Sequence, residues 1–367
     1  MSGRVAVAMS GGVDSSVVAW LLSRPAEADV VGLSMLLWDR SQESTHGRCC
    51  GALDLGDARR VAEQCGIAHY TLKMDQEFRR HVVEPFVDDY LAGRTPVPCT
   101  RCNTVIKFDL FLERARAVGA ETIATGHYAR IVEGEDGWQL HRAKNSDKDQ
   151  SYYLFELTQE QLAAARFPLG AMDKETVRQL ARDAELLVAE KSESMELCFV
   201  DGGIKEFIEQ EVRQAPERFA SPVATASTLV DSTGQDLGRG EPYYRYTVGQ
   251  RRGLGLTSPS PLYVLAIEPE HNRVQVGPVA DLDAPGLVGE RVHWIGRAPD
   301  KPLEVTVRIR SRHPGVRATV RAADEDGEVE VEFAEPQRGV TPGQAAVFYQ
   351  GSRVLGGCWI RQALAAG

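Results

Sequence analysis

Cys99 and Cys102 stand three apart in the stretch PCTRCN (98–103), and a third thiol, Cys198, closes the stretch SMELC. Thiols spaced like the first two make half a zinc site, a redox pair, part of an iron–sulfur site, or a catalytic thiol with a neighbour. Near the N-terminus, residues 10–16 read SGGVDSS, between the apolar run Val5–Met9 and a stretch with helical spacing. Gly11 and Gly12 let backbone N–H groups approach an anion, and the following helix turns its positive end toward it. Ser10, Ser15 and Ser16 add hydroxyl donors, and Asp14 could help hold a divalent cation. A mononucleotide P-loop would read G-x-x-x-x-G-K-[ST]. There is no lysine here, so γ-phosphate transfer by that apparatus is not supported.

Alternating elements must position these residues. Val5–Met9, Val30–Leu36, His69–Leu72 and Thr122–His127 read as strands. Asp57–Gln64, Phe108–Val118 and residues 174–187 read as helices, with Gly66 and Gly119 as stops. Strand and helix in alternation predict a parallel sheet covered by helices, with ligands at the carboxyl ends of the strands. SGGVDSS and TGHYA (125–129) both fall at such ends. KSESMELCFV (191–200) reads as a loop running into a short strand. After about residue 205 the texture changes to short alternating runs broken by Gly and Pro, the pattern of antiparallel β structure and small barrels, with a further break near 286.

The composition is that of a globular chain of 367 residues, 43% apolar and 26% charged. No apolar run approaches the ~20 residues of a membrane span, and the N-terminus lacks the look of a signal peptide, so the expected location is cytoplasmic. Seven cysteines, at 49, 50, 65, 99, 102, 198 and 358, are too unevenly spaced for a disulfide framework and fit reduced thiols. The net charge of −10 argues against an indiscriminate nucleic-acid binder. It leaves room for a local basic face. Residues 301–321 hold Lys301, Arg308, Arg310, Arg312, Arg317 and Arg321 against one acid, Glu304, and GQRRG (249–253) is a second basic spot.

SGGVDSS resembles the pyrophosphatase loop of the PP-loop ATPases. The resemblance implies cleavage of ATP between its α and β phosphates, with an oxygen adenylated and pyrophosphate released. Met35, at the end of the next strand, would line the adenine pocket. An adenylated oxygen is a leaving group that needs a nucleophile. A cysteine persulfide can supply sulfur, and a second thiol must then break the S–S bond, so two thiols must meet. Cys102 and Cys198 are the candidates, both expected in loops beside the nucleotide domain. Cys65 and Cys358 read as packing, and the role of the adjacent Cys49 and Cys50 is open.

AMSGGVDSSVVAWLL, GRTPVPCTRCNTVIKF, ATGHYAR, KDQSYYL, SMELCFV, YTVGQRRGLG and VTPGQAAVFY follow one another in the order seen in the bacterial tRNA-specific 2-thiouridylases. The similarity runs from residue 4 to about 361. It implies an α/β fold: an N-terminal parallel-sheet PP-loop domain, adenine nucleotide alpha hydrolase-like, over 1–205. A small β-rich domain over 206–286 and a tRNA-binding β-barrel over 287–367 would follow. It implies that Ala8, Met9, Ser10, Gly11, Gly12, Val13, Asp14, Ser15, Met35 and Gly126 hold ATP, with Mg2+. Cys102 would be the nucleophile and Cys198 the persulfide carrier, and the two would form a disulfide during the cycle. Val97, Pro98 and Cys99 would face the target base. His127, Lys148, Asp149, Gln150, Arg310, Ser311 and Gln344 would touch tRNA. The implied substrate is the wobble uridine in a tRNA anticodon stem-loop. The implied sulfur donor is a cysteine desulfurase or a sulfur-relay protein; no DNA or membrane partner is expected.

One position departs from the family. Many members carry an aspartate where this chain has Cys99, so a carboxylate able to shuttle a proton or contact the base is replaced by a thiol. Cys99, Cys102 and Cys198 would alternatively hold three corners of a [4Fe-4S] cluster, with the fourth iron open to sulfide. A further alternative keeps the loop and changes the acceptor, as in a PP-loop ligase fed by ammonia. No N-terminal nucleophilic cysteine follows Met1 to support a glutaminase.

Overall fold

The computed structural model describes residues 3–24, 29–38, 52–192, 197–200, 202–218, 225–321 and 327–365. Cys49 and Cys50 lie outside them. The chain forms two compact units, one of residues 1–83, 99–199 and 352–355, the other of 84–98, 200–351 and 356–367.

The first unit is built on β1 (Arg4–Ala8), β2 (Val30–Leu36), β3 (Ala68–Lys73), β4 (Ala120–Ala124) and the short β7 (Ala165–Arg166). They form a parallel sheet in the order β3-β2-β1-β4-β7. The chain leaves β1 for β2 on one side and reaches β4 on the other. The carboxyl end of β1 is therefore the switch point where such sheets bind ligands. Val5 and Val7 of β1 are buried, as are Val17, Val18 and Ala19 of α1 (Val13–Ser23) and Ala58, Val61 and Ala62 of α2 (Ala52–Gln64), all in one core. A hairpin of β5 (Ala129–Gly134) and β6 (Gly137–Arg142) follows β4 directly. Asp136-Gly137 at its turn is a hairpin signal available in the sequence. The helix expected over 174–187 is α3 (Lys174–Asp183), started by Asp173, whose carboxylate accepts from Thr176 N–H at 2.7 Å.

Two local expectations are corrected. PCTRCN is helical rather than a loop. Pro98–Arg101 is a helical turn, and Cys102–Leu110 continues it as a π-helical stretch into the helix Phe111–Ala117. Proline suits a first helical position, where its missing N–H costs nothing; Ile106, Phe108 and Phe111, all fully buried, then carry the apolar face. The segment expected as a short strand around Cys198 is a turn at residues 198–199.

In the second unit, the first element after residue 203 is α4 (Ile204–Gln214). Its Phe207, Ile208 and Glu211 are buried, one helical face within a region read as β. Residues 84–98 group with this unit for a physical reason. Phe86 packs on Phe207 with ring centroids 6.3 Å apart, and Leu91 C=O accepts from the Tyr243 hydroxyl at 2.8 Å. A four-stranded sheet follows, of β8 (Thr228–Val230), β9 (Asp236–Arg239), β10 (Tyr263–Glu268) and β11 (Arg273–Gly277). β8 and β11 pair in parallel, against the antiparallel expectation, because the long connection between them permits a crossover. Strands β12 (Asp283–Trp294), β13 (Leu303–Arg308), β14 (Val316–Arg321), β15 (Val329–Arg338), β16 (Ala345–Gln350) and β17 (Arg353–Ala363) run in the order β12-β15-β14-β13-β16-β17. β12–β17 pairing closes the antiparallel barrel. Among the described residues no helix is long and apolar enough to cross a membrane.

Candidate nucleotide and thiol site

The phosphate-type loop sits between the end of β1 and α1. Gly11 adopts φ +73°, and a Cβ built on it would lie 2.2 Å from the Asp54 carbonyl oxygen. Only glycine fits there. Gly12 is the N-cap of α1, and no side chain caps the helix. The first N–H groups of α1 are therefore left for a ligand, the arrangement that binds phosphate. The serine hydroxyls act differently from expectation. Ser15 Oγ donates to Gly12 C=O at 3.1 Å and accepts from Ser10 N–H at 3.2 Å, and Ser16 Oγ donates to Gly12 C=O at 2.8 Å. Ser15 and Ser16 are buried and brace the loop from within, while Ser10 is exposed.

Gly126, from the end of β4, closes on the same loop: an added Cβ would meet Asp14 Cβ at 2.9 Å and Ser15 N at 3.0 Å. Sequence reading placed Gly126 with the loop, and the fold brings them together through the β1–β4 pairing. Met9 is buried; its N–H donates to Leu33 C=O at 2.8 Å and its C=O accepts from Ser34 Oγ at 2.6 Å. Met35, half-buried, is the last residue but one of the neighbouring β2.

Two lysines outside the motif complete the loop. Lys174, the first residue of α3, donates to Asp14 Oδ1 at 2.7 Å and Oδ2 at 2.9 Å, and the Tyr128 hydroxyl donates to the same Oδ1 at 2.7 Å. Lys191 Nζ reaches Gly11 C=O at 3.0 Å and the carboxylates of Asp54 and Asp57 at 2.6 Å each. Burial works against the Lys191 ammonium, but the two carboxylates outweigh it and raise its pKa. Burial likewise pushes Asp57 up, and hydrogen bonds from Lys191 and Arg60 overcome that and hold it below the usual carboxylate range. Sequence reasoning missed Tyr128, Lys174, Lys191, Asp54 and Asp57. The only pointer was the lysine-free loop, which leaves its charge to be balanced from elsewhere.

The thiols differ in setting. Cys102 is buried; burial raises its pKa and Lys107 opposes the rise. Cys99 is exposed to solvent, yet enough protein surrounds it that desolvation pushes its thiol up to about 11, with Cys102 adding and Lys107 opposing. Cys198 is half-buried, and none of the three is in a disulfide. Residues 75–83 support both thiol segments. Arg101, beside Cys102, donates Nε–H to His81 C=O at 2.7 Å. Phe199, beside Cys198, packs edge-on against Phe78 with ring centroids 5.7 Å apart. Among the described residues no three His, Cys, Asp or Glu side chains are gathered to hold a metal. The three thiols therefore do not fit a [4Fe-4S] ligand set in this structure.

Several residues expected to touch tRNA are turned onto protein. His127 is buried beside the Phe108 and Phe167 rings. Asn103 Oδ1 accepts from Lys107 Nζ at 2.9 Å and meets His127 Nε2 at 3.2 Å. This assigns the imidazole proton to Nε2 and leaves Nδ1 to accept from Thr125 Oγ1 at 2.6 Å. Asn103 directly follows Cys102 and also donates to Tyr153 C=O at 3.1 Å, so this network fixes the start of the Cys102 helix. The Asp149 carboxylate accepts from Ala143 and Ser151 N–H at 3.1 Å each, and Gln150 Oε1 accepts from Tyr128 N–H at 2.9 Å. Lys148 is half-buried. Val97 and Pro98 are buried. Gln344 donates to Thr95 C=O at 2.9 Å, and Thr95 N–H donates to Pro342 C=O at 2.8 Å, which ties the approach to Cys99 to a barrel turn. Arg310 is exposed, and Ser311 C=O accepts from the Arg308 guanidinium.

Burial, reinforced by Lys107, holds the His127 pKa well below 6.5, and burial also lowers His69, His141 and His313. An unfolded histidine takes its proton near pH 6.5 while these folded ones do not, so acid favours the unfolded chain. Stability is expected to be full above about pH 6.5 and to fall as pH drops below it. Denaturant midpoints between pH 7.5 and 5.5 should show this slope, and His127→Gln should make it shallower. An unchanged slope would remove His127 from the explanation.

Comparisons with known proteins cover nearly the whole chain. Residues 3–202 match the family described as the tRNA methyl transferase HUP domain, 205–278 its PRC-barrel domain, and 285–360 the aminomethyltransferase beta-barrel domain. The chain is 50% identical over 371 residues to a protein of Geobacter metallireducens named tRNA-specific 2-thiouridylase MnmA, covering 99% of this chain and 98% of the relative. It is 48% identical to the protein of the same name from Solibacter usitatus, over 97% of this chain and 98% of the relative.

Proposed function

The chain belongs to the tRNA-specific 2-thiouridylase family, and from that premise we propose that it adenylates the C2 oxygen of a wobble uridine and replaces that oxygen with sulfur from a Cys198 persulfide. The supporting observation is a phosphate loop closed by Gly126 in the same unit as two thiol segments held on residues 75–83. Sulfur rather than methyl transfer is the chemistry that such a loop and two thiols serve.

The reaction runs in three exchanges. The C2 oxygen attacks the α-phosphorus, and pyrophosphate leaves. The terminal sulfur of the persulfide attacks C2, and AMP leaves with the former C2 oxygen, so the tRNA is joined through a disulfide to Cys198. The Cys102 thiolate attacks the Cys198 sulfur, which frees the 2-thiouridine and leaves a Cys102–Cys198 disulfide. A thiol reductant resets the pair, and a persulfide-bearing donor protein reloads Cys198. Lys107 counters the rise that burial imposes on Cys102, which favours the attacking thiolate. The Thr125–His127–Asn103 chain holds Cys102 at the start of its helix. Mg2+ would arrive with ATP and screen its phosphates, and Asp14 is the loop carboxylate that could join its shell. Cys99, exposed at the helix start, faces the base. Lys148, Arg310 and Ser311 contact the RNA backbone, while Asp149, Gln150 and Gln344 shape the segments beside them.

The test supplies ATP with and without tRNA and a persulfide donor. Pyrophosphate release is expected only with tRNA, and 2-thiouridine in the digested tRNA only when the donor is present. Pyrophosphate release that needs no tRNA, or a modified base that contains no sulfur, would reject the reading.

A further inference from the structure

The reaction above gives covalent tasks to Cys102 and Cys198 and none to Cys99, although the spacing of Cys99 and Cys102 is that of a redox pair. The fold gives that spacing a geometry. Pro98–Arg101 is a helical turn that runs straight into Cys102–Leu110, so the two cysteines stand about one turn apart on one helical run. Three residues along a helix separate two Cα atoms by about 5 Å, inside the range that a disulfide bridges. The Cys102 thiol also adds to the upward shift of the Cys99 thiol, which puts the two groups within electrostatic reach. Cys99 is exposed and Cys102 is buried. An exposed thiol with a buried one behind it suits a pair that takes up a disulfide and presents it to a reductant.

The cycle ends with Cys198 bridged to Cys102, and Cys198 takes no new sulfur until that bridge opens. One of its residues is buried and the other half-buried, so a bulky reductant has poor access to the bond. Cys99 is three residues from Cys102 and open to solvent. The aspartate that many family members carry at this position cannot enter thiol–disulfide exchange; a thiol can.

We propose that Cys99 is a second resolving thiol, which takes the disulfide over from Cys198 and returns Cys198 to its thiol form. The Cys99 thiol gives its proton to solvent, and its sulfur attacks Cys102 Sγ. The Cys102–Cys198 bond breaks, and its electron pair leaves on Cys198, which regains a proton. This exchange is redox-neutral. The new Cys99–Cys102 bond has an exposed member, and a dithiol reductant attacks Cys99 Sγ, displaces Cys102 and closes to its own disulfide. The dithiol supplies both electrons. This step rests on the persulfide reading above and adds to it a residue that the two-thiol cycle does not use.

Disulfide mapping of the full chain tests this. One equivalent of diamide, added to the reduced protein, makes a bridge without ATP or tRNA. A single turnover of the Cys198 persulfide with ATP and tRNA, in the absence of reductant, makes one by the proposed reaction. Both samples are alkylated with iodoacetamide, digested unreduced and read by mass spectrometry. In the wild type the bridge is expected at Cys99–Cys102, with Cys198 alkylated. After the turnover, Cys99→Ser and Cys99→Asp should instead hold Cys102–Cys198. A dithiol should then restore an alkylatable Cys198 at least about tenfold more slowly than in the wild type, since the neighbouring thiol is gone. That rate reports the exchange and would not move if Cys99 served only to contact the base. A wild type with Cys102 still bridged to Cys198 and Cys99 alkylated overturns the inference, as does equal restoration in all three proteins. A turnover that yields no 2-thiouridine, with the diamide bridge at Cys99–Cys102, would instead strike the proposed function and leave the thiol pair standing.

Discussion

Cys198→Ser is expected to form no 2-thiouridine, with thiolation down by at least about a thousandfold, as when a nucleophile is removed from a covalent mechanism. Serine is nearly the same size, but its oxygen carries no transferable sulfur and is not ionised near neutral pH. Residue 198 is half-buried, and the aromatic anchor beside it, Phe199 on Phe78, is untouched. The fold should therefore hold, with a stability change within about 0.5 kcal/mol. ATP binding should survive, since the loop and its lysines are unchanged. Cys102→Ser stops the cycle one exchange later. Without the resolving thiol, tRNA should accumulate bound to Cys198 through a disulfide and be released by reductant. Gel shift under non-reducing conditions and nucleoside analysis read the two outcomes. Full thiolation by Cys198→Ser would refute the persulfide route.

Gly11→Ala is expected to lower pyrophosphate release by at least about a hundredfold, the scale of misplacing a reacting group by an ångström. The substitution asks alanine to hold φ +73° and places its methyl 2.2 Å from the Asp54 carbonyl oxygen. That oxygen belongs to a backbone and cannot swing aside. Relief comes from lifting the loop off α2, which breaks the Lys191 hydrogen bond to Gly11 C=O and dislodges the N–H groups meant for phosphate. The fold should lose about 1–3 kcal/mol from the strained conformation. Gly12→Ala is the control. Gly12 has φ −92°, and its added Cβ meets only Ser10 Oγ at 3.6 Å. Its thermal midpoint should match the wild type, so any loss of ATP affinity there reports crowding of the phosphate itself. Equal melting and equal ATP binding in Gly11→Ala and wild type would show that the loop does not depend on this contact.

Local pattern alone located the phosphate loop, the strand before it and the closing barrel. Each rests on short-range chemistry: β-branched runs make strands, paired glycines make tight anion-binding turns, and alternation makes a two-faced sheet. The order of motifs pointed to the family and to Gly126 as a partner of the loop. Tertiary structure decided what the motif residues do. In the sequence Gly11 and Gly12 look equivalent, and only the approach of the Asp54 backbone separates them. Cys102 was expected in a loop beside the nucleotide domain, yet buried Ile106, Phe108 and Phe111 draw it onto a helix. His127, Asp149 and Gln150 look like polar groups for RNA until their hydrogen bonds are seen to end on protein. Asp14 and Lys174 are 160 positions apart, and Lys191 and Asp54 are 137 apart. No propensity or period links such pairs, because each ion pair exists only once β1, β4 and the helices have packed and brought distant charges within reach of one another.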